Sequence, residues 1–265
     1  KSGGITPATT LQVHKDASTG NVVQITTGNT GETSTDGLVI KRDASSFGIV
    51  SQENDTINLG GSLNPGSHTS FEKDGTMVFK GGATVWDDIM VYPDATGRGS
   101  SNAPVWEIFK NNGSGSQGVW LYWFSATTEQ EVYFTVQIPH SYKVGTNLYP
   151  HVHWTTKSGT PTATNVVWGL EYSWMTIGGN FGNTTLSTGN SVIDIIGTPS
   201  GTGQHLITSL GTIAGTTQNI STIITCRLYR AATDGRDTFT GSAGLLGFDI
   251  HFEKDTEGSR SEYSK

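Results

Sequence analysis

His151-Val-His153 is the pair of residues in this sequence best spaced to do chemistry. On a strand, residues i and i+2 share a face, so both imidazoles point the same way. Two imidazoles from one chain make an incomplete metal site. Repeated about the threefold axis of a homotrimer, the pair would supply an octahedral set of nitrogens suited to a transition metal. Three readings stay open at this stage: histidines hydrogen-bonded within a sheet or lining an interface, an axial metal, and a metal held by a single chain.

Other groupings are weaker. Gly145 precedes His151 at the spacing of the first motif of cupin metal enzymes, but that motif then requires a Glu where this chain has Lys157 and Ser158. The second cupin motif is approached only by Pro199-Ser-Gly-Thr-Gly-Gln-His205, which carries an extra residue. Asp87 and Asp88 are sequence neighbours, so on a strand they take opposite faces and cannot flank one glycosidic bond. Asp194, Glu171, Glu253 and Asp249 are dispersed along the chain. Gly197-Thr-Pro-Ser-Gly-Thr-Gly203 lacks the Lys-Ser/Thr of a phosphate loop and reads as a flexible connection. Cys226 falls among the core-facing residues of an alternating strand and reads as an inert buried thiol. A chain with a single cysteine is expected to fold in a reducing cytosol, wherever it then acts.

The aromatic residues form the remaining candidate site. Trp168, Leu170, Tyr172 and Trp174 alternate against Val167, Gly169, Glu171 and Ser173. Most such rings pack in a core, but a ring exposed at a strand end can stack on the apolar face of a sugar. Trp174, with Tyr172 behind it, stands nearest the polar segment Gly178 to Asn190. These two are therefore the expected receptor-binding residues.

The elements that must position these groups are strands. Hydrophobic residues make up 34% of the chain and charged residues 15%, against 35 glycines. Thr, Val, Ile and aromatic residues bounded by Gly, Asn and Asp indicate many short strands with tight turns. The chain is expected to be all-β. Its net charge of −7 and pI near 5.4 argue against nucleic acid or an anionic membrane as partner. Nothing approaches the ~20 apolar residues of a membrane-inserted helix. The chain opens on Lys1 rather than Met, as expected of a piece of a longer protein.

All seven tryptophans fall between Trp86 and Trp174. Residues 1–82 offer short strand candidates, from Leu11-Gln-Val-His14 and Asn21–Thr26 to Thr76–Phe79, each with few apolar side chains. One copy of such a segment cannot offset the ~1–2 kcal/mol of backbone entropy lost per ordered residue. Three copies wound together could. Residues 1–82 are thus expected to be a repetitive β stem in a homotrimer. Residues 83–265, with eight to ten richer strands including Ser191–Ile196, are expected to form a jelly-roll-like β-sandwich head.

Leu11-Gln-Val-His14, Thr33-Ser-Thr-Asp-Gly-Leu-Val-Ile40, Ile49-Val-Ser-Gln-Glu-Asn54 and Phe71-Glu-Lys-Asp-Gly75 resemble the repetitive stems of bacteriophage tail fibres and related trimeric adhesins. Val85-Trp-Asp-Asp88, Pro150-His-Val-His-Trp154, Val167–Trp174, Phe248–Glu253 and Gly258–Tyr263 are similar to a family of phage-encoded virion proteins. Some phage fibre tips hold iron with axial His-x-His pairs, which is what this resemblance implies for His151 and His153. It further implies a non-enzymatic, homotrimeric virion fibre protein. Such a protein is assembled in the host cytoplasm, joined to other virion proteins on its N-terminal side, and acts outside the cell on a host-surface glycan or protein. A purely structural head-fibre, decoration or connector protein is the alternative, and a sugar-degrading tail enzyme is the third.

Overall fold

In the computed structural model the protein is described at residues 38–42, 45–53, 56–60, 67–99, 101–157, 164–192 and 203–265. The strand candidates at Leu11–His14 and Asn21–Thr26 lie outside these residues, as does Asp194.

Contacts divide the chain into two units. One comprises Lys1–Thr84 with Asp255–Glu257, and the other Val85–Lys254 with Gly258–Lys265. In the first, β1 (Leu38–Arg42), β2 (Ser45–Glu53), β3 (Thr56–Gly60), β4 (His68–Phe71) and β5 (Met77–Lys80) form a five-stranded antiparallel meander. The Asp-Gly signal between β4 and β5 makes the turn that its chemistry specifies. Gly75 adopts a φ of 85°, its N–H donates to the Glu72 carbonyl, and Asp74 accepts from the Thr76 N–H at 2.9 Å. A bridge from Val78 to Thr256, with the Phe79 N–H donating to the Asp255 carbonyl, explains why residues 255–257 belong to this unit.

The second unit is a β-sandwich, as the strand spacing indicates. Its strands are β6 (Val85–Val91), β7 (Gly97–Arg98), β8 (Val105–Lys110), β9 (Val119–Phe124), β10 (Gln130–Gln137), β11 (Leu148–Thr156), β12 (Asn165–Met175), β13 (Thr185–Val192), β14 (Leu206–Ser209), β15 (Ile223–Arg230) and β16 (Ala243–Lys254). One antiparallel sheet runs β13-β12-β15-β10-β7. The other runs β14-β11-β16-β9-β8, and β6 pairs with the C-terminal half of β16.

Period-two alternation fixes which side chains face inward. Val132, Phe134 and Val136 of β10, Ile224, Cys226 and Leu228 of β15, and Trp168, Leu170 and Tyr172 of β12 meet Val152 and Trp154 of β11 and Phe248, Ile250 and Phe252 of β16. Phe124 packs edge-on to Trp168 at 5.0 Å, and the Trp154 indole donates to Thr208 Oγ1 at 2.8 Å. Cys226 sits in this core, where burial pushes its thiol up to about 12.

The structure departs from the sequence reading at one edge. The strand expected at Ser191–Ile196 begins instead at Thr185, inside the segment read as a loop. Its residues Thr-Leu-Ser-Thr-Gly-Asn-Ser-Val show little apolar alternation because β13 is an edge strand. Its ladder to β12 holds it, and Leu186 points to solvent.

Candidate functional site

Two neighbouring strands each carry a polar–apolar–polar triplet, His151-Val-His153 on β11 and Asp249-Ile-His251 on β16, and β6 brings Asp88, with Ile89 after it, alongside them. Val152 and Ile250 are in the core and Ile89 packs against it, so the flanking side chains must emerge on the outer face of the sheet. Register then sets who meets whom. Asp249 lies opposite His151 on one side and Met90 on the other, while His251 lies between Tyr149 and Asp88. On the far side, Ser209 of β14 pairs with His151, and His205 just precedes that strand.

Asp249 is the hub. It is only 2% exposed, although it stands on an outer sheet face. His153 Nε2 lies 3.1 Å and His251 Nε2 3.0 Å from its Oδ2. His151 Nδ1 stands 3.4 Å from its Oδ1, within Coulombic range but without a hydrogen bond, so both buried atoms are left without a partner. Burial alone would push the Asp249 carboxyl up. The contacts with His151 and His153 and the charges of His153 and His251 outweigh it, and its pKa is lowered.

Two more groups extend the cluster. His205 Nε2 lies 2.7 Å from His153 Nδ1. A neutral His153 that donates Nε2–H to Asp249 must accept at Nδ1, so His205 is the donor in that contact. Asp88 Oδ1 lies 3.2 Å from His251 Nε2, which is thus shared between two carboxylates. Asp87 takes the other face and reaches Lys254 at 3.7 Å, in line with the opposite orientation expected of neighbours on a strand.

Beside this cluster is a cavity of about 460 Å³ lined by Trp86, Tyr149 and His251. Trp86 is 58% exposed, and Tyr149 braces it edge-on at 5.4 Å between ring centres. An exposed indole next to a carboxylate and an imidazole offers a flat apolar surface with polar groups at its rim. That is the combination a sugar ring requires.

The other expected ligand-binding residues lie on the opposite sheet. Tyr172 is 8% exposed within the core and has no open ring face, and burial pushes its hydroxyl up. Trp174 is half-buried and packs against the core edge. Glu171 is not isolated: with Glu129 and Glu131 it surrounds the Arg227 guanidinium, and Glu131 accepts from Arg227 Nε at 2.7 Å. Glu253 pairs with Lys143 at 2.7 Å.

Sequence reasoning found the shared face of His151 and His153. It did not join Asp249, His251, Asp88 or His205 to them. The available signal was the polar–apolar–polar triplet shared by β11 and β16, His151-Val-His153 and Asp249-Ile-His251; nothing of the kind marked Asp88 or His205.

Comparison by sequence with protein-family models finds no match, and comparison with curated proteins finds none either. Among solved structures, the chain is similar to TmCBM61 in complex with β-1,4-galactotriose. That likeness covers 64% of this chain and 88% of the other at 13% identity, with a TM-score of 0.27. At that level it carries no argument about this chain's site.

Proposed function

We propose that this chain is a non-enzymatic fibre subunit of a bacteriophage particle whose β-sandwich head recognises a host-surface glycan in the cavity lined by Trp86, Tyr149 and His251. The observation that carries the recognition is the exposed Trp86 ring, braced by Tyr149 and rimmed by His251 and Asp88. The phage assignment rests on the stem-like and head-like motifs of the sequence. A trimer is favoured by a second feature: Trp106 and Trp120, on one face of β8 and β9, remain 41% and 40% exposed. Clustered exposed apolar side chains of this size mark association surfaces. Three weak sites carried on one fibre would bind by avidity.

The test is binding of the intact, labelled chain to an array of immobilised oligosaccharides. We expect binding to a restricted set of sugars, weakened ~10-fold or more by Trp86→Ala, equivalent to ~1.4 kcal/mol, and retained by Trp174→Ala. Loss with Trp174→Ala and not with Trp86→Ala would move the site to the opposite sheet. An array without binding would overturn the glycan reading, and release of reducing sugar from a bound oligosaccharide would overturn the non-enzymatic one.

A further inference from the structure

The outer-face cluster holds a tension that hydrogen bonding does not relieve. A buried carboxylate faces three imidazoles, yet Asp249 Oδ1 and His151 Nδ1, both buried, have no hydrogen-bond partner. Native structures rarely leave such atoms unpaired, and each instance calls for a physical reason. The spacing supplies one. His151 Nδ1 stands 3.4 Å from Asp249 Oδ1, His251 Nε2 3.0 Å from Asp249 Oδ2, and Asp88 Oδ1 3.2 Å from His251 Nε2. One donor atom each from His151, Asp249 and His251 falls within 4.8 Å of the others. Ligand atoms at ~2.0–2.1 Å from a tetrahedral ion lie ~3.3 Å from one another. This long contact, which lacks hydrogen-bond geometry, is therefore of the right length for two ligands of one ion.

We propose that each chain binds one divalent first-row transition metal through His151 Nδ1, His251 Nε2 and the Asp249 carboxylate, with Asp88 as a fourth ligand. A mixed imidazole and carboxylate set selects Zn²⁺-like ions over Ca²⁺ and Mg²⁺, which take oxygen ligands alone. His153 has a different role in this arrangement. By donating to Asp249 Oδ2 it orients the carboxylate, and His205 in turn fixes the His153 tautomer. The ion would tie together β11, β16 and β6, the three strands that supply its ligands. The site differs from an axial metal on His151 and His153 in its ligands and in its stoichiometry.

This proposal does not rest on the glycan reading, although His251 serves both. The intact chain is stripped with a chelator and titrated with Zn²⁺ by calorimetry and with Co²⁺ by visible absorption. We expect one ion per chain, tetrahedral Co²⁺ bands, and a Tm raised by Zn²⁺. His251→Gln, at a partly exposed position, should keep the metal-free Tm and lower Zn²⁺ affinity by more than ~100-fold, since even outer partners of metal ligands cost ~10–100-fold. Trp86→Ala should leave metal binding unchanged, which separates failure of the sugar site from failure of this one. Absence of binding, or equal binding by His251→Gln, would overturn the proposal. One ion per three chains would overturn it in favour of the axial site.

Discussion

Arg230 shows how the sandwich tolerates a buried charge. Its side chain and that of Asp237 are fully buried, and the guanidinium donates through Nε and Nη2 to the two Asp237 oxygens at 2.9 and 2.7 Å. Its remaining N–H groups reach the carbonyls of Gly241 at 2.7 Å, Phe239 at 2.6 Å and Phe124 at 3.3 Å. Asp237 also accepts from the Val167 N–H at 3.0 Å, so the pair fastens the loop after β15 to β12 and β9. Removing one partner of a buried pair strands the other charge. Arg230→Met is therefore expected to destabilise the protein by ~3–5 kcal/mol, seen as a lowered urea midpoint. Arg230→Lys should fail in the same direction, because an ammonium cannot reproduce the planar fork. Arg230→Met combined with Asp237→Asn should cost less than the sum of the single changes.

At the level of strands, each sheet of the sandwich places an aromatic ring over a glycine on the facing strand. Tyr229 of β15 lies across Gly169 of β12, and a Cβ added there would fall 2.2 Å from the ring. Trp123 of β9 covers Gly244 of β16 in the same way, at 2.7 Å. Arg227 caps the Tyr229 ring at 4.2 Å, and its three carboxylate partners hold it there. Gly169→Ala must displace Tyr229 and is expected to cost ~1–3 kcal/mol by overpacking. Tyr229→Ala should relieve that clash, so a double-mutant cycle in urea will show a coupling energy of opposite sign to the single losses. Most strands were legible in the sequence because residues such as Val132, Phe134 and Val136 alternate cleanly. β13 was misplaced because an edge strand needs no apolar face. The candidate site was legible only in part. Alternation puts His151 and His153 on one face, but it says nothing of which strand lies alongside, and the cluster exists because β11 and β16 pair with His151 opposite Asp249.

For the whole molecule, the change in composition after residue 82 falls close to the boundary between the two compact units at Thr84 and Val85. The second unit carries the large buried cluster of Trp, Phe, Leu and Val side chains. The strands expected before Trp86 are too poor in such residues for one copy to offset its ordering entropy. A fragment of residues 83–265 is expected to unfold in one cooperative transition, whereas residues 1–82 alone should show none as a monomer. The intact chain should have the mass of three copies by light scattering, and a monomeric mass would remove the stem, the avidity and the axial metal together. No helix among the described residues is long and apolar enough to cross a membrane.

The pairing of β6 with β16 has a mechanical consequence. Val85 lies directly opposite Lys254, so the strand that enters the sandwich begins where its last strand finishes. Tension between those two points would peel the ladder open one bond at a time instead of shearing it. Trp86 and Asp88 follow immediately on β6, so a load applied at the cavity would reach Val85 through a few residues of one extended strand. Ile89 and Val91 of β6 face the core beside Ile250 and Phe248 of β16, so opening from that end would separate Val85 to Asp88 before it reached the packed interior.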